Sequence, residues 1–333
     1  MKKFLILQFV LIISILACSN GNNYNGQSSS DSTSVSETPK TYAEISIKEG
    51  GEWKDRKYEG GTFKNIRNLK VPAAHTDHSF YIRYEGPGWE SNKVGYRLYL
   101  DWRNAIDIFG KVTDSMVLSQ VGLDGFDSYH EKCSWGQDIL KVGKGLGVGS
   151  IGRYVDNEVL HFKEVDSTFA SVENSISESK VLINYYDWKT ASEKINLNSE
   201  LSISPDKRYT KHTIQSSKAI SGICTGIVNH KVEVFKKESE NKKWAYLATY
   251  GAQTLVSETD KLGMAIFYKV GDVESQTVWE FDHLVIFNPT IEPISFYFLG
   301  AWEGEKDGIK TKEAFISYLD KLLSELNSQD KLQ

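Results

Sequence analysis

Two neighbouring side chains, Tyr129 and His130, close the run Asp124-Gly125-Phe126-Asp127-Ser128-Tyr129-His130. An imidazole titrates near neutral pH and exchanges protons readily, and a phenol can protonate a departing hydroxyl or polarise a substrate. The pair therefore reads as acid/base-competent, with Trp135 nearby as a stacking wall. The plainer alternative is a loop in which His130 caps a backbone carbonyl. Upstream, Tyr96-Arg97-Leu98-Tyr99-Leu100-Asp101-Trp102-Arg103 alternates in strand fashion. Strand geometry puts Arg97, Tyr99, Asp101 and Arg103 on one face and Tyr96, Leu98, Leu100 and Trp102 on the other. Arg97 and Arg103 would stand about 20 Å apart on a regular strand, so they cannot grip one carboxylate unless the strand bends. Each would serve a different anion, or pair with Asp101 or Asp107.

Other candidates are scattered. His212, sharing a face with Arg208 and Thr210, is a second candidate base. Gly86-Pro87-Gly88-Trp89-Glu90 reads as a turn that exposes Trp89. His75 and His78 are three apart; on a turn they could share a divalent metal, although no third ligand is evident nearby. The chain has no P-loop, dinucleotide fingerprint, nucleophile elbow or paired-cysteine zinc motif, and no organic cofactor is expected.

Short alternating runs separated by turn residues must position these groups. Strands are expected at Ser79–Tyr84, Tyr96–Trp102, Ser115–Val121 and Glu158–Val165. Further ones are expected at Lys180–Asp187, Lys194–Ser202, Tyr209–Ser216, Ile220–Val228, Lys231–Phe235 and Trp244–Tyr250. Gly263–Lys269, Thr277–Phe287 and Ile294–Leu299 complete the set. Many strands with few helices between them predict an all-β fold, a large two-sheet antiparallel β-sandwich. Lys312–Leu326 is the exception: Phe315, Leu319, Leu322, Leu323 and Leu326 form a helical stripe, with Thr311 as N-cap.

Composition narrows the class. The chain has 333 residues, 40% hydrophobic and 25% charged, with only 6 Pro and 3 Cys, which excludes a disordered, collagenous or disulfide-rich protein. A pI near 5.9 offers no basic field for nucleic acid. The 17 Tyr, 15 Phe and 8 Trp suit both sheets and sugar-stacking surfaces.

The first residues read as an address. Lys2 and Lys3 precede an apolar run, Phe4 to Ala17, too short to span a bilayer and suited to a signal-peptide core. It ends in Ile15-Leu16-Ala17-Cys18, which resembles a lipobox and implies cleavage before Cys18 and acylation of its sulfur. Losing Lys2 and Lys3 takes the formal charge from −5 to −7. Residues 1–17 are thus expected to be a lipoprotein signal, 18–40 a Ser-, Asn- and Gly-rich tether, and 41–333 one domain. The expected location is a Gram-negative envelope, anchored by lipid alone in the outer membrane and facing the periplasm, with the cell surface as the alternative. There an oxidising environment permits a Cys133–Cys224 bridge, although Cys224 in its apolar stretch reads as a buried small hydrophobe.

Glu85-Gly86-Pro87-Gly88-Trp89-Glu90-Ser91, the block Asp101-Trp102-Arg103-Asn104-Ala105-Ile106-Asp107, then Asp127-Ser128-Tyr129-His130 and Trp135-Gly136 resemble a known family. It is a domain-of-unknown-function family of polysaccharide-utilisation-locus lipoproteins that includes an oligosaccharide dehydratase of ulvan breakdown. The resemblance implies removal of water from a non-reducing-end uronic acid, leaving a 4,5-unsaturated sugar. Such a reaction needs a base at C5, an acid at the 4-hydroxyl and neutralisation of the adjacent carboxylate. The expected roles are base for His130 or His212, acid for Tyr129 or Tyr99, and carboxylate binding for Arg97 or Arg103. Trp89, Trp135 and Asn104 complete the substrate contacts. The net acidic charge requires a local basic pocket for an anionic oligosaccharide. A non-catalytic glycan-binding lipoprotein and an aldose epimerase-like enzyme are the alternatives.

Overall fold

The computed structural model describes residues 38–333; the signal segment, Cys18 and nearly all of the tether lie outside them. In chain order the strands begin with β1 (Thr41–Lys54), β2 (Lys57–Ile66), β3 (Asn68–Lys70), β4 (Gly88–Ser91), β5 (Val94–Leu98), β6 (Ile106–Lys111) and β7 (Gly136–Asp138). Next come β8 (Val148–Val155), β9 (Glu158–Leu160), β10 (Ser167–Asn174), β11 (Ser179–Thr190), β12 (Glu193–Ile203) and β13 (Tyr209–Ser216). The last are β14 (Ile223–Val228), β15 (Glu233–Glu238), β16 (Trp244–Ala252), β17 (Lys261–Lys269), β18 (Val273–Val278), β19 (Asp282–Phe287) and β20 (Ile294–Trp302), followed by helix α1 (Lys312–Gln329).

Three antiparallel sheets result. Their orders are β2-β1-β4-β5-β6-β7, then β15-β16-β17-β20-β13-β12-β11-β10-β3, and β18-β19-β14-β8-β9. One core joins them, with Ile45, Trp89 and Ile106 from the first, Ile183, Leu201 and Phe298 from the second, and Ile151, Ile227 and Val285 from the third. The fold is all-β, antiparallel and sandwich-like, as the alternation predicts, with three sheets in place of two. In β11 and β12 buried and part-exposed positions alternate, the pattern of a sheet with one wet face.

The helix begins where expected: the Thr311 side chain accepts from the Ala314 N–H. Its five apolar side chains are buried against β16 and β17. Gly263 permits this approach, since a Cβ there would lie 2.6 Å from the Phe315 ring.

Several expected elements differ. Ser79–Tyr84 is not a strand but a loop leading into a 3-10 turn at Arg83–Glu85, and only Ile82 forms a bridge. Ser115–Val121 also turns, around Leu118–Gln120, because Glu90 Oε1 takes the backbone N–H groups of Val117 and Leu118 at 2.7 and 2.9 Å. The strand predicted to reach Trp102 stops at Leu98, and Thr277–Phe287 divides into β18 and β19. The β1–β2 hairpin and strands β3, β4, β6, β7, β8 and β10 lie outside the predicted spans. Cys133 and Cys224 are both free thiols, so there is no bridge between them.

Strands β4, β5 and β6 are buried throughout, hence covered on both faces. One face meets the main core. The other meets a smaller cluster built from Tyr84, Phe109, Val117, Leu118, Val121, Tyr129 and Trp135. The loop between β6 and β7 thus makes a lid over a sheet face that carries charge.

Candidate active site

Strand register assembles the charges. Arg97 in β5 lies opposite Asp107 in β6, and Asp138 in β7 lies opposite Phe109, two residues along β6. Side chains of the same parity share a face, so Arg97, Asp107 and Asp138 all project toward the β6–β7 loop. Arg97 Nη2 donates to Asp107 Oδ2 and to Asp138 Oδ2, each at 2.6 Å, and Nε donates to Asp107 Oδ2 at 3.1 Å. The remaining Nη1 donates to the Tyr129 hydroxyl at 3.0 Å. Tyr99 donates its hydroxyl proton to Asp107 Oδ2 at 2.6 Å. The guanidinium is 2% exposed and both carboxylates 1%. Burial, reinforced by the neighbouring Asp138 charge, pushes the Asp107 carboxyl up, and Arg97 and Tyr99 oppose this.

His130 stands where this network reaches solvent. Its Nδ1 is 3.1 Å from Asp138 Oδ2, and its side chain is 32% exposed. A carboxylate only accepts, so the neutral imidazole carries its proton on Nδ1 and presents the lone pair of Nε2. The Tyr129 ring packs 4.5 Å from the imidazole. Burial holds its phenol above the ordinary range, against the pull of Arg97.

A second ion group adjoins the first. Arg103 Nε donates to Asp101 Oδ1 at 2.9 Å, and Nη2 donates to Glu85 Oε1 at 2.8 Å. Beyond β5 the chain turns, with Asn104 N–H donating to the Asp101 carbonyl. This turn brings Arg103 back to 4.0 Å from the Tyr99 ring centroid, while Arg97 lies 4.8 Å from the same ring. The two guanidiniums, expected far apart, thus flank one phenol. Glu85 Oε1 also accepts from the His78 backbone N–H at 2.9 Å. Phe126 bridges the rim, its ring 4.8 Å from His78 and 5.2 Å from His130. Four carboxylates thus surround two guanidiniums.

The segment beneath this rim is strained. His78, Phe80, Tyr84 and Glu85 have φ of 56°, 59°, 40° and 72°. A left-handed conformation is unusual for bulky side chains and gathers at functional sites. Phe80, Tyr84, Glu85, Phe126 and Tyr129 line one cavity of about 250 Å³. A larger cavity of about 680 Å³ is lined by Asp101, Trp102, His75 and Lys163, among others.

The predicted residues divide accordingly. Arg97, Tyr99, Tyr129 and His130 come together, with Arg103 against Tyr99. Arg97, however, is buried and spent on Asp107 and Asp138, so it does not reach a substrate carboxylate. Both Tyr99 and Tyr129 hydroxyls are held inside the network. Trp89 is not on an exposed turn: it is 0% exposed in β4, its Nε1 donating to Thr210 Oγ1 at 2.8 Å. Trp135 is buried edge-on to Phe109 and presents no open stacking face. His212 is buried elsewhere, between Ser199 Oγ at 2.7 Å and the Gly149 carbonyl at 2.9 Å. Burial lowers its pKa to about 4, so it is a neutral core residue. Asn104 is buried and accepts from the Tyr185 hydroxyl. His75 Nδ1 pairs with Ser79 Oγ, and His78 faces Asp77 and Glu85. Among the described residues no three His, Cys, Asp or Glu side chains converge as a metal set.

Sequence reasoning missed Asp138, Glu85 and Phe126 as site residues. Asp138 had no local signal, because the burial of Arg97 that demands its counter-charge comes from a loop and a strand distant in sequence. Phe126 had none.

Fold and site define an all-β sandwich whose candidate centre is a solvent-reachable histidine held by a buried arginine–carboxylate network. The chain belongs to the family described as Domain of unknown function (DUF4861), which matches residues 16–331. No curated protein matches the sequence. Among solved structures, it is similar to a putative kojibiose phosphorylase from human microbiome, at TM-score 0.39 and 12% identity, over 71% of this chain and 32% of that one. It is also similar to a TPR-domain containing protein from Parabacteroides distasonis, at TM-score 0.35 and 6% identity, over 78% and 54%. GH36 alpha-galactosidase AgaA from Geobacillus stearothermophilus gives TM-score 0.27 and 8% identity, over 71% and 41%. The chain spans less than two thirds of each of these proteins.

Proposed function

We propose that this chain is a carbohydrate-acting enzyme, an oligosaccharide dehydratase that eliminates water from a non-reducing-end uronic acid. The observation that carries the reading is the His130–Asp138 dyad, its imidazole partly exposed at a rim where Phe126 packs against both His130 and His78. Sequence resemblance to a family that includes a dehydratase of ulvan breakdown supports the substrate class.

In this reading His130 Nε2 removes the C5 proton. The C4–O bond breaks as the C4=C5 bond forms, and the imidazolium returns that proton to the departing hydroxyl, releasing water. One residue serves both transfers because Tyr99 gives its hydroxyl proton to Asp107, and the Tyr129 hydroxyl is buried with its oxygen on Arg97 Nη1. Asp138 holds the ring and stabilises the imidazolium. The local excess of carboxylates means that the substrate's own carboxylate is met by cations outside the Arg97 network. A lipid anchor at Cys18 would keep the enzyme in the cell envelope, near polymer breakdown products.

Incubation with uronic-acid-terminated oligosaccharides tests the proposal. Elimination produces ultraviolet absorbance from the new double bond with the wild-type protein, and His130→Ala lowers its rate by about 10²–10⁴-fold. Binding without chemical change would point instead to a glycan-binding protein, and an altered anomeric ratio to an epimerase. Undiminished elimination by His130→Ala would remove the residue from the mechanism.

A further inference from the structure

The larger cavity has no role in the proton transfers, yet its walls have the chemistry of a ligand site. Its volume, about 680 Å³, falls in the range of small-molecule sites. Asp101 lines it, Glu85 lines the smaller cavity beside Tyr129, and Arg103 bonds both carboxylates. A single ion relay therefore separates this cavity from the candidate centre.

Three features point to what it holds. First, Trp102 contributes a partly exposed indole to the wall, a flat apolar face of the kind that stacks on a sugar ring. Second, the Lys163 ammonium lies 5.7 Å from the centroid of that indole. Among the described residues Lys163 has no carboxylate partner, whereas Arg97 and Arg103 are each bound by two. Third, His75 lines the same wall with Nδ1 on Ser79 Oγ, and its buried Nε2 lies toward the Glu85 backbone carbonyl without closing a hydrogen bond of normal geometry. A buried polar atom without a partner calls for an explanation. A hydroxyl satisfies it in either tautomer, since a hydroxyl both donates and accepts.

The cavity continues. Asp166 and Ser167 also line a neighbouring groove of about 440 Å³, in which Phe169 and Tyr186 are exposed. Aromatic faces thus recur along a connected trough with hydroxyl groups between them.

We propose that this trough is a binding cleft for an acidic oligosaccharide, with Trp102 stacking on one sugar ring and Lys163 pairing with a carboxylate on the chain. The cleft deepens the dehydratase reading by naming where the sugars beyond the reacting one are held, and it rests on that reading for the substrate class.

Calorimetric titration tests it with a uronic-acid-containing tetrasaccharide and the same tetrasaccharide after reduction of its carboxylates to hydroxymethyl groups. His130→Ala serves as the background, so that turnover does not interfere. On that background Trp102→Ala weakens binding of both sugars about tenfold. Lys163→Gln, a change at an exposed side chain, weakens the acidic sugar several-fold and leaves the neutral one unchanged. Unchanged affinity in Trp102→Ala, with native unfolding behaviour, overturns the cleft. Equal effects of Lys163→Gln on both sugars overturn the assignment of Lys163. If the wild-type protein binds in this way but never forms the double bond, the dehydratase reading fails and the cleft stands. If elimination proceeds and Trp102→Ala leaves both KM and affinity untouched, the cleft fails and the dehydratase reading stands.

Discussion

Asp138→Asn separates the chemical role of the network from its structural one. In the native protein one guanidinium serves two buried carboxylates; with both ionised, Arg97, Asp107 and Asp138 carry one net negative charge, and this excess together with burial pushes the Asp107 carboxyl up. The substitution keeps the shape and leaves Arg97 and Asp107 as a balanced pair. It weakens one charge-assisted bond, a loss of about 1.5–3 kcal/mol, which is offset by removing a buried charge and its repulsion with Asp107. The expected net change in unfolding free energy is within about 2 kcal/mol. For His130 the same change is severe. Asp138 Oδ2 takes both Arg97 Nη2 and His130 Nδ1, so the amide keeps its oxygen toward both donors and the ring keeps its tautomer, but it loses the charge that stabilises its protonated form. Elimination should therefore fall by about 10²–10⁴-fold, measured as the initial rate of ultraviolet absorbance beside a denaturant titration of the same sample. Asp107→Asn is the control. Asp107 accepts from Arg97, Tyr99 and the Ile108 N–H, so the same loss of charge should cost more stability there. A folded Asp138→Asn protein with wild-type turnover would refute the dyad, and one that unfolds would refute the expected near-neutral stability.

Three further outcomes follow from buried contacts. Arg97→Gln leaves Asp107 and Asp138 buried side by side without a cation and should lower unfolding stability by about 3–5 kcal/mol; a loss below 1 kcal/mol in denaturant titration would mean that the pair is already neutralised. His212 has a folded pKa of about 4, below its ordinary 6.5, so the unfolded chain binds more protons between those values. Its stabilising contribution is complete above pH 6.5 and is lost as pH falls toward 4, about 3 kcal/mol in all. His212→Gln should flatten the stability–pH curve by that amount, and coincident curves would contradict a buried neutral imidazole. Gly263→Ala drives a methyl into the Phe315 ring and should cost about 1–3 kcal/mol, seen as an earlier thermal transition.

Legibility in the sequence followed wetness. In β11 and β12 one face is solvated, so alternation marks the strands closely. In β5 the alternation correctly put Arg97 opposite in face to Tyr96, but could not tell a solvated face from one roofed by a distant loop. The same blindness explains Trp89. Gly86-Pro87-Gly88 looks like turn punctuation, yet β4 begins at Gly88, and the indole is covered by Thr210, 121 residues away in sequence. Asp138 joins Arg97 across 41 residues through the register of β6 with β7, and no local pattern encodes that register. Glu90 shows the converse. Its buried carboxylate takes two backbone N–H groups and the Lys111 ammonium, overriding the strand pattern of Ser115–Val121 by hydrogen bonding. At Ser115–Val121 and at Ser79–Tyr84, where strand propensity fails, a buried charge supplies the competing interaction.

The strained segment from His78 to Glu85 is the clearest instance. Backbone in the left-handed region costs about 1–3 kcal/mol per non-glycine residue and persists only if neighbours over-determine it. The β1–β2 hairpin supplies that constraint, Lys48 N–H donating to the Tyr81 carbonyl and Tyr58 N–H to the Ser79 carbonyl. Glu44 adds an anchor from β1, pairing with Arg83 and accepting the Tyr84 hydroxyl proton at 2.7 Å. The result is that Glu85 turns its carboxylate inward, to His78 N–H and Arg103. A relaxed backbone would not present that carboxylate to both partners, and Arg103 would then lose the contact that links Asp101 on one cavity wall to Glu85 on the other. The hairpin missed in the sequence therefore holds the strained segment that shapes the rim around His130, so the candidate centre depends on long-range pairing as much as on the residues that could do its chemistry.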